Sequence, residues 1–553
     1  MIKPKFPQRQ LPLLVTVLIL VFTACSDETI VYQDEQSDII LEESEAVLQQ
    51  SVVMDNAGVL DIFEEESLAS GKLARANDEI AGDFPLTLVA QISPPSFSGG
   101  DNLTASHVHL EGNYVYVSYN TVDEAYVGGI DIIYIGDPNN PRVTSRLYYL
   151  NADISSVKYD GGFVYAVGGV DSETSVTAEF NSFVAKIAVS NGRFNISSGI
   201  SYGFQEGFVA TDVETTAELV IVTSGKDGYI TQYRKSDMEK VQDAPFSDLR
   251  SLELNGNTIG VLDADYGVRL LDENLSETAG IPIDADFRIA DKRTMAFSSD
   301  KIFVSEGSTG AGIYDLATGS FLAHVPILVN PDDVAESDIV TNAVSTNEEV
   351  LLMANGGAGL CLSEGVTTDT ELVGIIALNG SINYVESKDD YIFAASGREG
   401  LQIIKMNRPS NSLKAACADS PPYNGSSRLN VAAGDDVAYS GSRRFREVNV
   451  AGALLLCGSW TVRDEVNVDA NGLFEMNGTL VVARNSRRRD VTVGEGATLR
   501  IEGDLTIYGD LIVTANATLE FLGSDSVVNV LGDVVIDGDA TVTGTFEDVQ
   551  GKF

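Results

Sequence analysis

One phrase recurs along the chain and limits what it can become. "HVHLEGNYVYVSYN" (107–120) is two short apolar runs around the polar turn Glu111-Gly112-Asn113. The same shape returns as "VKYDGGFVYAVGG" (157–169), "LELNGNTIGVLD" (252–263), "VSTNEEVLLMANG" (344–356) and "VESKDDYIFAASG" (385–397). Each reads as strand, polar turn, strand, then small residues. A third strand usually follows, as in "GGIDIIYI", "DGYITQYR", "YGVRLLDE" and "GAGIYDLA", and a fourth in places, as in "RVTSRLYYL" and "ELVGIIAL". First strands begin near residues 106, 154, 208, 248, 293, 341 and 381, a spacing of 40 to 54 residues. Repeats of that length with four strands each predict a β-propeller of seven blades, over residues 81–410. The last repeat lacks a fourth strand, because "NRPSNSLKAACADSPP" follows it. "PLTLVAQIS" (85–93), upstream of the first repeat, reads like "TELVGIIAL" (370–378) and is the candidate for that missing outer strand. Supplying it would close the ring and remove the free edges of an open array.

Beyond a linker at 411–427 the pattern tightens. Strands of three to five residues recur about every seven, with Gly, Asn and Asp at corners, as in "VTVGEGATLRIEGDLTIYGD" (491–510). Coils starting near 448, 466, 491, 511 and 534 predict a small right-handed β-solenoid of about five coils within 428–553. A small β-sandwich of short hairpins is the alternative. The expected fold class is all-β: a seven-bladed propeller followed by that solenoid.

The N-terminus carries Lys3, Lys5 and Arg9 with no acid, then an apolar run from Leu11 to Phe22 broken by Pro12 and Thr16. Such a run is too short to span a bilayer, which takes about 20 residues, and reads as a secretory signal over 1–24. Phe22-Thr23-Ala24-Cys25 resembles the lipobox of bacterial lipoproteins. That resemblance implies lipidation at Cys25 and anchoring in a membrane, with more than one acyl chain because a single chain holds only marginally. Ser26 after the cysteine resembles outer-membrane sorting, and Asp27-Glu28 resembles the export signals of surface-displayed lipoproteins in some Gram-negative bacteria. Residues 25–80 then read as an acidic, largely disordered tether, with 15 acids against Lys72 and Arg75.

A second resemblance lies in the first repeat. "GGIDIIYIGDPNNPRVTSRLYYL" (128–150) is similar to the LVIVD-repeat, a propeller repeat of bacterial and archaeal surface proteins, through the strand "IDIIYI" (130–135) and the turn Asp137-Pro138-Asn139-Asn140-Pro141. "GLQIIKMNRPSN" (400–411) is a looser match, and the other blades depart from the pattern. The resemblance implies an exported propeller and brings no catalytic residues with it.

Charge narrows the partners. Lys and Arg number 36 against 81 Asp and Glu, and removing the three cations of the signal gives 33 − 81 = −48. Nucleic acid and anionic lipid surfaces are disfavoured, because both need clustered cations. The region 411–553 is less acidic, with 12 cations and 20 acids. There Arg443, Arg444 and Arg446 sit in one loop and Arg484, Arg487, Arg488 and Arg489 in another. They are candidates for an anionic polymer or an acidic protein face, with pairing to local acids as the alternative. Cys417 and Cys457 are candidates for a disulfide in an oxidising compartment, with three reduced buried cysteines as the alternative.

Catalytic chemistry has little to work with. There are three histidines, His107, His109 and His324, and neither a G-x-S-x-G elbow nor an H-E-x-x-H helix. His107 and His109 lie two apart on a strand and share a face, so they are metal candidates, though the sequence offers no third ligand. The acid pairs Asp263/Asp265, Asp284/Asp286 and Asp537/Asp539 are candidates for structural Ca²⁺ or, without it, for loop turns. Trp460 is a candidate sugar platform or a core residue. Together these features predict a lipid-anchored, surface-exposed outer-membrane protein acting as a non-enzymatic scaffold for a protein or polysaccharide. The rival readings are a polysaccharide-active enzyme with its site at the propeller channel mouth and a periplasm-facing assembly subunit.

Overall fold

The computed structural model describes residues 38–54, 58–59, 62–63, 86–96, 103–121, 126–175, 177–285, 287, 292–327, 334–347, 350–364, 371–376, 378–406, 413–418, 420–523 and 525–553. The signal segment and Cys25 lie outside them.

Seven antiparallel blades form a propeller. Their first strands are Thr104–Glu111, Ala152–Asp160, Ala210–Thr215, Leu249–Asn255, Met295–Ser298, Ile339–Thr346 and Tyr384–Lys388. Each touches the first strand of the next blade, and the seventh touches the first, so they encircle a central channel. The blades stack on alternate apolar positions. Val115, Val117 and Ile133 of blade 1, for example, pack with Phe393, Leu401 and Ile403 of blade 7.

Closure follows the sequence expectation. Leu86–Ile92 pairs antiparallel with Leu401–Met406, from Leu401↔Ile92 to Met406↔Leu86, and becomes the fourth strand of blade 7. Its side chains serve both neighbours. Leu86 and Leu88 pack between blades 6 and 7, while Ala90 and Ile92 pack between blades 7 and 1. Full burial of such a residue stabilises by about 1.5–3 kcal/mol.

The acidic segment is not all spacer. Ile39–Glu42 adds a fifth strand to blade 1, from Ile39↔Tyr149 to Glu42↔Arg146. Val52–Val53 and Gly58–Val59 both pair with the closing strand, and Ile62–Phe63 pairs with Ile375 and Ile376 on blade 6. Leu48, between the first two of these, is 1% exposed in the layer joining blades 7 and 1. The sequence reading missed this strap because runs of four apolar residues or fewer hide among many acids.

The C-terminal body is a parallel β-solenoid, which excludes the sandwich alternative. One side is a stack of six levels: Arg428–Val431, the end of Asp436–Val450, the end of Ala453–Val468, then Val491–Val493, Leu511–Val513 and Val534–Ile536. Six turns therefore replace the five expected. The missed turn is the first, whose bend at Gly441 (φ +122°) lies inside one long strand and leaves no gap between strands to mark it. Inward columns explain the stability: Val448, Val466, Val491 and Leu511 stack in register, all 0% exposed. Outside, Asn430, Asn449 and Asn467 form a ladder with hydrogen bonds of 2.9 and 3.0 Å. Arg500 bridges Glu475 and Glu520 across three levels.

The bodies are joined at several points. Lys405 of blade 7 forms an ion pair with Asp504 of the solenoid. The linker residue Leu413 donates its N–H to Glu502 Oε2 at 2.8 Å, and Tyr508 Oη donates to the strap carbonyl of Met54 at 2.7 Å. Cys417 and Cys457 are disulfide-bonded, and Cys361 is free and buried.

Gly400 tests closure directly. Its φ is +80°, and a Cβ there would stand 2.0 Å from the Ile92 carbonyl of the closing strand. Gly400→Ala is expected to lower propeller stability by roughly 2 kcal/mol or more, from backbone strain plus displacement of that strand. Gly112→Ala, also at positive φ but facing open space, should cost only about 1 kcal/mol. Thermal unfolding of the two variants checks the difference.

Candidate functional site

The channel is the most chemically dense place in the propeller. Its first strands carry polar residues where a plain alternation would put apolar ones, and a repeated irregularity explains how. A β-bulge lies between Ala105 and His107 in blade 1, between Ile154 and Ser156 in blade 2, between Ala210 and Asp212 in blade 3, and between Leu249 and Ser251 in blade 4. A bulge re-aims the side chains on either side of it. Consecutive residues such as Ser106 and His107, or Thr211 and Asp212, therefore both serve the channel region.

The bulges divide the channel into a mouth and a deeper layer. At the mouth, every blade contributes to the lining of a cavity of 710 Å³, through Ser106, Ser155, Thr211, Arg250, Lys292, Asn342 and Asn383 in blade order, and blades 1, 3, 6 and 7 add further residues. Several also stitch blades together. Ser106 Oγ donates to the Ile154 carbonyl at 3.0 Å, and Thr211 Oγ1 to that of Leu249 at 3.0 Å. Asn342 Nδ2 donates to Ile382 at 3.1 Å, and Asn383 Nδ2 to Ala105 at 2.8 Å. Arg250 is held by Asp248 at 2.7 Å. Lys292 Nζ donates to the Ser155 carbonyl at 3.0 Å and lies 5.1 Å from the Tyr384 ring centre.

The deeper layer is charged. Lys158 pairs with Glu214 at 2.9 Å, and Asp212 accepts from Ser156 Oγ at 2.8 Å and from the Leu252 N–H at 3.1 Å. Glu386 accepts from the Leu110 N–H at 3.1 Å. Burial, with Glu214 close by, pushes the Glu386 carboxyl up to about 8 despite Lys158. Burial and Glu214 hold Glu253 well above the carboxylate range too. Burial lowers the Lys292 ammonium to about 8.

His107 and His109 sit here, both nearly buried. His107 packs on Tyr384 with ring centres 4.0 Å apart. Burial and neighbouring lysines depress both imidazoles, His109 to about 3. Both are therefore neutral at pH 7, flanked by Lys158 and Lys292. Among the described residues no group of three or more His, Cys, Asp or Glu is arranged to hold a metal ion. Asp263 instead accepts from Arg269 at 3.0 Å and from the Asp265 N–H at 3.2 Å, as a turn and an ion pair. Asp284 is among the described residues, and its partner Asp286 lies outside them. Asp537 and Asp539 are exposed at a solenoid corner.

The arginines form a second candidate site. Arg443, Arg444 and Arg446 lie in the strand Asp436–Val450 and not in the loop expected, and that strand meets the loop carrying Arg484, Arg487, Arg488 and Arg489. Arg446 and Arg487 both bind Asp464, at 3.0 and 2.8 Å. The hydrogen bond from Arg446, with the charges of Arg487 and Arg489 behind it, holds the Asp464 carboxyl below its ordinary range. Arg444, Arg484, Arg488 and Arg489 are exposed around them. Arg488 donates to Asn485 Oδ1 at 3.3 Å. Arg443 turns away, to the carbonyls of Tyr423 and Gly425 at 3.3 and 2.8 Å. Arg463, next to Asp464 on the strand Ala453–Val468, is also exposed and was not singled out from sequence. Trp460 is 0% exposed and stacks on Phe445 at 5.2 Å, so it is core and not a sugar platform.

The channel makes stability depend on pH. Folded Glu386 keeps its proton to about pH 8, while an ordinary glutamate releases it near 4.5. The folded state therefore binds the extra proton, and stability falls as pH rises through that window. His109 acts oppositely between about 3 and 6.5, and Lys292 between about 8 and 10.5. From pH 6.5 to 8, Glu386 and Glu253 set the slope. Stability to denaturant is expected to fall there by about 1 kcal/mol, allowing for water in the channel. Glu386→Gln should flatten that slope; an unchanged slope would refute the assignment to Glu386.

The sequence matches no protein-family model and no curated protein. Among solved structures, the chain is similar to the WD40 repeats of RRP9, at 10% identity and a TM-score of 0.43, covering 59% of this chain and 100% of that one. It is similar to the WD40 β-propeller domain of Doa1, at 12% identity and a TM-score of 0.40, covering 59% and 97%. The computationally designed Ika8 protein is similar at 11% identity and a TM-score of 0.36, covering 57% and 98%.

Proposed function

We propose that the chain is a lipid-anchored cell-envelope protein, displayed on the outer-membrane surface, that acts as a non-enzymatic binding scaffold for an acidic protein or polysaccharide. The arginine corner carries this reading. Arg446 of one strand and Arg487 of a distant loop converge on Asp464, while Arg444, Arg484, Arg488 and Arg489 stay exposed. In a chain of formal charge −45, a rigid corner of opposite sign is a place for anionic recognition, and guanidinium groups suit carboxylate and sulfate geometry.

The anchoring part rests on Phe22-Thr23-Ala24-Cys25 and on the acidic residues after it. The exported-propeller part rests on the likeness of residues 128–150 to the LVIVD-repeat. Those residues are the third and fourth strands of blade 1, Gly128–Tyr134 and Arg142–Tyr149, with the proline turn between them. An enzyme acting from the channel mouth is the second reading, favoured by the 710 Å³ cavity there; cleavage of envelope polysaccharides by the purified ectodomain would select it.

Two measurements test the proposal. On intact cells, external protease is expected to cut the propeller and solenoid while a periplasmic control survives. Cutting only after lysis would place the chain inside and favour an assembly subunit. The variant Arg484→Gln/Arg487→Gln/Arg488→Gln is expected to weaken binding to polyglutamate or a sulfated polysaccharide by about tenfold or more at low salt, with a shallower salt dependence. Equal binding by the variant would remove the corner from the proposal.

A further inference from the structure

The mouth of the propeller channel is unlike the rest of the molecule, and its order around the ring is specific. Blades 1, 2 and 3 contribute hydroxyls (Ser106, Ser155, Thr211). Blades 4 and 5 contribute cations (Arg250, Lys292). Blades 6 and 7 contribute carboxamides (Asn342, Asn383) together with the hydroxyls of Ser337 and Ser381, and blade 1 adds Asn120 and two further hydroxyls. The cavity rim adds Arg398, Asp338 and Glu399. Among the described residues its ionisable lining is three cations against two acids, where the whole chain has 36 against 81. Its volume, 710 Å³, lies within the range of small-molecule sites, about 300–1,000 Å³.

From this arrangement we infer that the channel mouth binds a small carboxylated polyol, of the hexuronic acid class. The carboxylate faces Arg250 and Lys292, and the hydroxyl groups face the Ser/Thr arc on one side and the two asparagines on the other. The chemistry follows from the donors. Adjacent cations on one sector fix where the negative charge goes. The hydroxyls of Ser106 and Thr211, already donating to the next blade, accept from alcohol groups, and Asn342 and Asn383 each have a second amide N–H to donate. The site is built before a ligand arrives. Asp248 holds Arg250, Lys292 is tethered to the Ser155 carbonyl, and Asn342 and Asn383 are pinned by their bonds to the next blade. Fixed side chains lose little freedom on binding. Asp212 and Glu386 lie behind Lys292 in the deeper layer and help to hold its ammonium charged against burial.

This inference is independent of the arginine corner, and its test leaves that corner intact. Titration calorimetry of the folded chain would use three probes: glucuronic acid, tri-galacturonic acid and neutral maltotriose. A uronate is expected to bind with a Kd of about 1 mM or tighter, and maltotriose at least tenfold more weakly. Tighter binding of the trimer identifies the end of an acidic glycan as the source; equal affinity of the monomer identifies a free sugar acid. Lys292→Met is expected to weaken uronate binding tenfold or more. Ser155→Asp, which places a carboxylate in the ring without removing a buried charge, is expected to do the same while unfolding at an unchanged temperature. Two outcomes overturn the inference: no uronate binding up to about 10 mM, or equal binding of uronate and maltotriose. Full uronate affinity in Ser155→Asp also overturns it, and so does loss of uronate binding in the arginine-corner variant, which would move the site to the solenoid.

Discussion

Everything in the propeller depends on one pairing, that of Leu86–Ile92 with Leu401–Met406. Seven sheets that each bury two faces need a neighbour on both sides, and only a closed ring gives every sheet one. The closing strand does this twice over. It completes the hydrogen bonding of blade 7, and its side chains fill the layers on both sides of that blade. The strap then pairs with the closing strand at Val52–Val53 and Gly58–Val59. The edge that would otherwise be exposed is covered by chain from the same molecule.

The ring also explains the chemistry of the channel. Four blades share a bulge at the same point of their first strands, so polar residues from each are delivered to the same height. The result is a mouth of hydroxyls, cations and amides above a layer of paired and half-paired charges. The solenoid contributes a different kind of site, in which stacking of successive turns brings sequence-distant arginines onto one carboxylate.

Much of this was legible in the sequence. The repeated strand–turn–strand phrase gave the blade number, and the likeness of residues 85–93 to residues 370–378 gave the closing strand, because both depend on local alternation that survives in the fold. The strap was not legible: "IILE" and "VV" are too short to signal strands amid acids, and they become strands only where a blade edge offers partners. The first solenoid turn was missed because its bending glycine, Gly441, lies inside the continuous strand Asp436–Val450 and opens no gap between strands. His107 and His109 were placed correctly on one face, but their surroundings were invisible. Lys158, Asp212, Lys292 and Glu386 come from four blades, and a single extra residue in a bulge upsets any count by twos. The arginine clusters were visible as a composition anomaly, though the first lies on a strand and not in a loop, while Asp464, which binds Arg446 and Arg487, looked like any other acid.

Closure has a consequence in time. The strand that seals the ring leaves the ribosome long before its partner, which begins more than 300 residues later. Throughout that interval Leu86, Leu88 and Ile92 form an apolar edge with nothing to cover it, the kind of edge that joins with another copy of itself. The segment immediately before it carries acids far in excess of cations. Like charge there pushes two unfinished chains apart, so the same stretch that later straps the blades guards the vulnerable strand while the seventh blade is still to come.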